Sequence, residues 1–216
     1  MNNDMQTIGI FGGSFDPIHY GHLALARCMR DSLQLDEVRL IPTGLPPHRA
    51  ISKVSPAQRL AWVRAAIMGE AGLVADDREV RREGYCYTFD TLREIQAENP
   101  QALLVWLIGA DSWHNLPTWH RWRELLDLGH LLIAARPDYT IADEISRLSP
   151  DLAEEFARRH VIANTDTLSR GKISVLSSPL LPVSSTQVRD LVSRGEDVSA
   201  LTPVSDLLVA SGFYRF

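Results

Sequence analysis

Residues 8–22 read Ile8-Gly9-Ile10-Phe11-Gly12-Gly13-Ser14-Phe15-Asp16-Pro17-Ile18-His19-Tyr20-Gly21-His22. The first four residues form a short apolar run of the kind that becomes a buried strand. Gly12-Gly13 follows as a turn, where glycine permits positive φ and close approach of a ligand to the backbone. Helical spacing then begins at Tyr20, with Leu23, Ala26 and Leu33 recurring and Cys28 and Met29 between them. A strand, a glycine turn and a helix start in this order bring backbone N–H groups and the positive end of a helix dipole to one point. His19 and His22, three residues apart, share a helical face at that point. The expected occupant is a phosphate chain. The pattern is neither a G-x-G-x-x-G fingerprint nor a P-loop, since no Gly-Lys-Ser/Thr follows. Zinc would need a third ligand, and no Cys, His or carboxylate cluster at suitable spacing supplies one, so no metal ligands are assigned.

Working outward, apolar runs alternate with helical patterns. Strands are predicted at 7–11, 38–42, 102–108, 130–135 and 173–176. Helices are predicted at 20–33, 88–98, 121–128 and from Pro56 to about Met68. Further helices open at Ser184 and at Thr202-Pro203. Ser55-Pro56-Ala57-Gln58 reads as N-cap, N1 proline and capping-box glutamine, and Ser184-Ser185-Thr186-Gln187 has the same spacing. Residues 44–54 read as a polar loop, 80–87 as a short extended segment, and 138–170 as polar and irregular with no assigned role. Near-continuous apolar strands between helices imply a parallel sheet covered on both faces. The fold class is therefore α/β, a Rossmann-like doubly wound parallel sheet with helices on both faces. The whole chain, 1–216, is expected to be a single domain with a small C-terminal helical part at about 184–216. Ligands of such sheets bind beyond the carboxyl ends of the strands. The clusters at 12–22, 46–49, 109–112 and 184–189 all fall there, which predicts one active site.

Composition narrows the partners. The 216 residues are 45% apolar, enough for a sizeable core, and carry a net charge of −5. With only the isolated doublets Arg81-Arg82 and Arg158-Arg159, no broad nucleic-acid footprint is expected. No run reaches transmembrane length and the N-terminus lacks a signal-peptide layout, so no membrane partner is expected and the chain reads as cytoplasmic. Cys28 and Cys86 read as two reduced thiols, Cys28 on the apolar side of a helix and Cys86 in a polar turn. Monomer and homo-oligomer are both open.

The stretch from Gly12 to His22, with Val183-Ser184-Ser185-Thr186-Gln187-Val188-Arg189, resembles the bacterial nicotinate-mononucleotide adenylyltransferases of the H-x-G-H nucleotidyltransferase superfamily. Pro46-Pro47-His48-Arg49, Tyr87-Thr88, Ile108-Gly109-Ala110-Asp111-Ser112 and Pro117-Thr118-Trp119 narrow the likeness to the nicotinate branch. The resemblance implies transfer of AMP from ATP to nicotinate mononucleotide by direct phosphate attack, with Mg²⁺ accompanying the nucleotide. It implies that His19, His22 and Arg189 are catalytic. It implies an ATP site of Gly12, Gly13, Phe15, His19, His22, His48, Arg49, Gly109, Asp111, Arg136, Ser184, Ser185 and Arg189. His22 would donate to the α-phosphate and His19 would orient the chain. Arg189 would hold the β/γ-phosphates, and Ser184 and Ser185 would add donors. His48 and Arg49 would close over the phosphates. Gly109 and Asp111 would receive adenosine, with Arg136 near the base. On the acceptor side, Trp119 would stack on the nicotinate ring beside Tyr87, and the helix start at Thr88 would meet its carboxylate.

Rival readings share the motif. The same chemistry on nicotinamide mononucleotide, phosphopantetheine or a flavin would keep the histidines and change the acceptor pocket. A class I aminoacyl-tRNA synthetase is disfavoured by a short, acidic chain without a Lys-Met-Ser-Lys-Ser loop. A nucleotide-binding regulatory module would bind ATP and release no pyrophosphate. The remaining His114, His120, His130 and His160 are read as structural, and Asp16-Pro17 as shaping the turn.

Overall fold

The structure is a computed structural model that describes residues 5–47, 52–135, 147–177 and 181–214. Six strands form one all-parallel sheet: β1 (Thr7–Gly13), β2 (Glu37–Pro42), β3 (Leu73–Ala75), β4 (Leu103–Gly109), β5 (His130–Ala135) and β6 (Ile173–Ser177). Their spatial order is β3-β2-β1-β4-β5-β6, so the direction of winding reverses between β1 and β4. Ile8 pairs with Glu37 on one side and with Leu104 on the other. This is the doubly wound arrangement expected, with its ligand crevice at the carboxyl ends of β1 and β4.

Alternation along the strands builds two cores. Leu103, Val105 and Leu107 face a core shared with α1 (Tyr20–Leu33), α2 (Pro56–Ala66), α8 (Ser185–Ser193) and α9 (Ser205–Ser211). Leu104, Trp106 and Ile108 face the other core, which α4 (Thr88–Glu98), α5 (Ala110–His114), α6 (Trp122–Leu125) and α7 (Pro150–Arg159) close. A short α3 (Arg78–Arg81) sits at the β3 edge. Gly9 leaves room for the side chains that pack over β1: a Cβ there would come within 2.8 Å of Val38 Cγ2 on β2, 2.9 Å of Leu35 Cδ1 and 3.1 Å of Met29 Cε on α1.

Several elements differ from the sequence reading. Gly12 and Gly13 do not form a left-handed turn but continue β1, and the positive φ (46°) falls on Phe15. The stretch 80–87 is not an extended segment: α3 takes its first residues, and Tyr85 makes one isolated bridge to Leu45. Cys86 lies in that connection but is buried, its thiol 3.5 Å from the Glu79 carbonyl. The helix expected at 121–128 is only α6: Arg121 enters it from a left-handed conformation, and beyond Leu125 the chain continues in turns, with Asp127 N–H on Glu124 O and Leu128 N–H on Leu125 O. Strand β3 is too short and half-exposed to show a pattern. Part of 138–170 is regular, since α7 buries Leu152 and Phe156 at i, i+4. The last helix starts at Ser205 rather than at Pro203.

At the amino end of β5, away from the crevice, His130 is fully buried. Its Nε2 lies 2.9 Å from Ser174 Oγ, which itself donates to the Val161 carbonyl, so Nε2 is the protonated nitrogen. Its Nδ1 accepts the Ser169 N–H at 3.2 Å. Burial pushes the His130 pKa down to about 4. Because the unfolded imidazole takes up a proton more readily, this histidine's contribution is intact above about pH 6.5 and is lost as pH falls toward 4. Denaturant titrations should show about 2 kcal/mol less stability from this group at pH 5 than at pH 7. His130→Gln should flatten that pH dependence; an unchanged slope would refute the assignment.

Candidate active site

The crevice is built first from two chain ends that carry no side chains. Gly12, at the end of β1, and Gly109, at the end of β4, lie on neighbouring strands, and a Cβ on either would meet nothing within 4 Å. Open space above two glycines is what a ligand lying across the strand ends requires. Gly13 differs: a Cβ there would approach the Phe15 ring at 3.2 Å. Phe15 is fully buried and packs edge-on to both Phe11 and His22, with centroids 5.5 and 5.0 Å apart. It therefore underlies the site as a wedge beneath the histidines rather than as a surface contact.

His19 is the N-cap of α1 and His22 its third residue, and the two imidazoles complete a capping box. Nδ1 of His19 accepts the His22 N–H at 3.3 Å, while Nδ1 of His22 accepts the His19 N–H at 3.2 Å. The His19 N–H is satisfied in this way, while the His22 N–H is shared between His19 Nδ1 and the His19 carbonyl at 3.0 Å. The rings stack at 3.6 Å with 22° between their planes. With both Nδ1 atoms acting as acceptors, each neutral ring carries its proton on Nε2. Burial lowers the His19 pKa to about 4; burial first, and His19 second, push His22 well below its ordinary range. At neutral pH both rings are therefore uncharged, each with an Nε2–H donor. Gly21 leaves room for the pair, as a Cβ there would lie 3.1 Å from both the His19 ring and Val183 Cγ1.

The helix α8 closes the crevice from the C-terminal side. Ser184 caps it, accepting the Gln187 N–H at 3.1 Å. The Ser185 hydroxyl is already committed, donating to the Pro17 carbonyl at 2.9 Å. Its role as a free hydroxyl donor to phosphate is corrected accordingly. Arg189 donates through Nη1 to the Asp16 carbonyl at 2.7 Å and through Nη2 to Thr186 Oγ1 at 3.1 Å. Asp111, exposed in the first turn of α5, stands beside Gly109. His48, Arg49 and Arg136 lie outside the described residues.

A second cluster lines the start of α4. Its N-cap position, Tyr87, makes no side-chain capping bond, leaving the helix start at Thr88 for another acceptor. Tyr87 packs on His120 at 4.5 Å, and Phe89 meets the same imidazole at 6.2 Å. Thr88 and the half-buried Trp119 are thus on adjoining segments. Sequence reasoning treats His120 as structural and misses its contact with this cluster. It also misses Arg59, which is buried and ties the turn to its neighbours: it donates to the Ser14 carbonyl, to Thr43 O at 2.6 Å and to Val54 O at 3.4 Å. Among the described residues no group of three or more His, Cys, Asp or Glu is arranged to hold a metal ion. Among them, too, no helix is long and apolar enough to cross a membrane.

The fold and this crevice define a nucleotidyltransferase, and the profile of the cytidylyltransferase-like family matches residues 10–191. A protein of Laribacter hongkongensis named probable nicotinate-nucleotide adenylyltransferase is 44% identical, over 97% of this chain and 94% of its own length. A protein of the same name from Pseudomonas syringae pv. tomato is 40% identical over 97% of this chain and 94% of its own. The chain belongs to this nicotinate-nucleotide adenylyltransferase branch of the cytidylyltransferase-like family. The fold recurs in the nicotinic acid mononucleotide adenylyltransferase of Plasmodium falciparum, solved with NaAD, at TM-score 0.71 and 17% identity, covering 97% of each chain.

The open space above Gly12 is testable against a packed glycine. Gly12→Val should leave the melting temperature nearly unchanged and weaken ATP binding by about tenfold to a hundredfold, the scale of an overpacking clash of about 1–3 kcal/mol. Gly44→Ala should instead destabilise the fold, because its Cβ would lie 2.1 Å from the Glu79 carbonyl. Normal ATP affinity in Gly12→Val, measured by titration calorimetry, would place the nucleotide elsewhere.

Proposed function

We propose that this chain transfers AMP from ATP to nicotinate mononucleotide, giving nicotinate adenine dinucleotide and pyrophosphate, a step of NAD biosynthesis. The observation that carries this reading is the stacked, reciprocally capped His19–His22 pair at the mouth of a glycine-ended parallel strand. Its relatives, about 40% identical over nearly the whole chain, support the choice of acceptor. We read residues 1–216 as one catalytic unit, acting in the cytoplasm; two unpaired cysteines are in keeping with a reducing compartment.

The acceptor phosphate attacks the α-phosphorus of ATP in line, and pyrophosphate leaves, with no covalent enzyme intermediate. Most of the catalysis is then positioning and stabilisation of charge. The triphosphate lies across Gly12 and Gly109. His22 Nε2–H donates to a non-bridging oxygen of the α-phosphate, and His19 Nε2–H orients the neighbouring phosphate. A neutral donor suits this role, since binding an anion draws its pKa back up and strengthens the bond as negative charge grows. Arg189 faces the β/γ-phosphates, with Ser184 and the α8 start adding donors. His48, Arg49 and Arg136 are read as further donors to the nucleotide, and Asp111 accepts from ribose hydroxyls. The N–H and hydroxyl donors around the crevice would hold the phosphates of a Mg²⁺-bound nucleotide, and the ion would offset part of their negative charge.

At the other end, Trp119 stacks on the nicotinate ring beside Tyr87, and the uncapped N–H groups at Thr88 receive its carboxylate. An amide in that place turns its NH₂ toward donors and leaves a group unpaired, a penalty of about 1–3 kcal/mol.

Two experiments test the reading. His22→Ala should lower kcat by about 10²–10³, the effect of losing one preorganised donor. It also strips the partner from the His19 N–H, so the melting temperature should fall by a few degrees, in line with about 1 kcal/mol of lost capping. Near-normal turnover in the folded variant would remove His22 from the mechanism. Pyrophosphate release with Mg-ATP and each acceptor in turn should favour nicotinate mononucleotide over nicotinamide mononucleotide by about tenfold or more. Equal rates would discard the Thr88 pocket while leaving the histidines in place.

A further inference from the structure

The turn leading into the histidines is held almost entirely by residues from the far end of the chain. The Asp16 carbonyl accepts from Arg189, the Pro17 carbonyl from Ser185, and the Ile18 carbonyl from Thr202 Oγ1 at 2.7 Å. The Asp16 carboxylate is committed as well. One oxygen accepts the Ser52 hydroxyl at 2.8 Å and the other accepts the Tyr214 hydroxyl. Tyr214 is held for this contact in a conformation that bulky residues rarely adopt, φ 71°, with its ring against Trp62. Phe15, on the other side of the bond, is also at positive φ.

Geometry explains what the phenol does. The Arg189 guanidinium reaches the main-chain oxygen of Asp16, not its carboxylate. A carboxylate with an unoccupied oxygen beside a guanidinium forms a two-pronged ion pair, which is among the strongest side-chain pairings. Tyr214 on one carboxylate oxygen and Ser52 on the other hold the Asp16 side chain in place, so Arg189 meets the main-chain oxygen and not the two-pronged carboxylate edge. We infer that Tyr214 is a positioning residue of the phosphate site: by occupying the Asp16 carboxylate it keeps Arg189 directed at the polyphosphate of the nucleotide. The inference rests on the reading of this turn as the nucleotide phosphate site. Burial and the bond to Asp16 raise the phenol's pKa, so it remains a donor across the working pH range.

The test is Tyr214→Phe, which removes one oxygen and keeps the ring on Trp62. The melting temperature should fall by only a few degrees. The KM for ATP should rise by about tenfold and kcat should fall by a similar factor, the scale of a misplaced catalytic contact. The KM for the acceptor should stay within about twofold, since Thr88 and Trp119 lie on other segments. Adding Asp16→Asn, which takes away the charge that would capture Arg189, should restore part of the ATP affinity. Unchanged ATP parameters in Tyr214→Phe would overturn the inference. So would a uniform loss of stability, kcat and both affinities that Asp16→Asn does not rescue, since Tyr214 would then be a packing residue only. ATP binding by titration calorimetry reads the effect without turnover. Wild-type protein that binds ATP but forms no dinucleotide would refute the proposed reaction and leave the Tyr214 comparison intact.

Discussion

Two imidazoles lying face to face at 3.6 Å tolerate at most one charge between them, and burial removes even that one. Two imidazolium ions at this spacing would repel by about 5 kcal/mol at an effective dielectric constant of about 20. Neutrality fixes much else. A neutral ring has one acceptor nitrogen, and the capping bonds in the first turn of α1 take Nδ1 of each ring for it, so both protons sit on Nε2. Neutrality also explains why the floor of the site is aromatic: Phe15 and Phe11 can pack against His22 because no charge is buried there. Gly21 leaves room for the same stack, since a Cβ there would lie 3.1 Å from the His19 ring.

The turn is thus not a flexible glycine loop but a braced one. Gly12 and Gly13 remain in the strand, Phe15 takes the strained conformation, and Arg59, Arg189, Ser185 and Thr202 hold the main-chain carbonyls of Ser14, Asp16, Pro17 and Ile18. Three of these four holders come from residues 185–202, and Tyr214 adds a fourth hold from the same end. Bracing of this kind lets backbone strain persist at a site that must hold its donors still. The acceptor side is built separately, from the start of α4 and the segment around His120.

Legibility in the sequence tracked how local the cause was. Helix α1 and helix α4 were readable to the residue because their apolar spacing and their starts lie within the elements themselves. Strand β5 was readable because a buried parallel strand is apolar throughout. The expectation of an anion site drew on similarly local signals, the glycines and the histidine pair. Strand β3 escaped notice because three residues at a sheet edge carry no period. The N-terminal part of 80–87 was misread as extended because a single helical turn has too few residues to show one. The burial of Cys86 depends on Glu79 and Leu45, and the commitment of Ser185 depends on Pro17, so neither was visible from neighbours in the chain. The charge state of the histidines was also hidden: it arises from their mutual approach and burial, which a motif does not encode.

The pairing of β1 has a consequence for how the chain reaches its native state. Thr7 pairs with Leu103, so the strand that carries the phosphate turn gains its second neighbour only after a long stretch of chain has been gathered in. Parallel pairings at such separation incur loop-closure entropy before they return any stabilisation, and they form late. Gly109, the other open edge of the crevice, is delivered by the same late event. The crevice therefore exists only where β1 has paired with β4, and a chain paired only as β1, α1 and β2 would hold the histidines without a cleft for them to face.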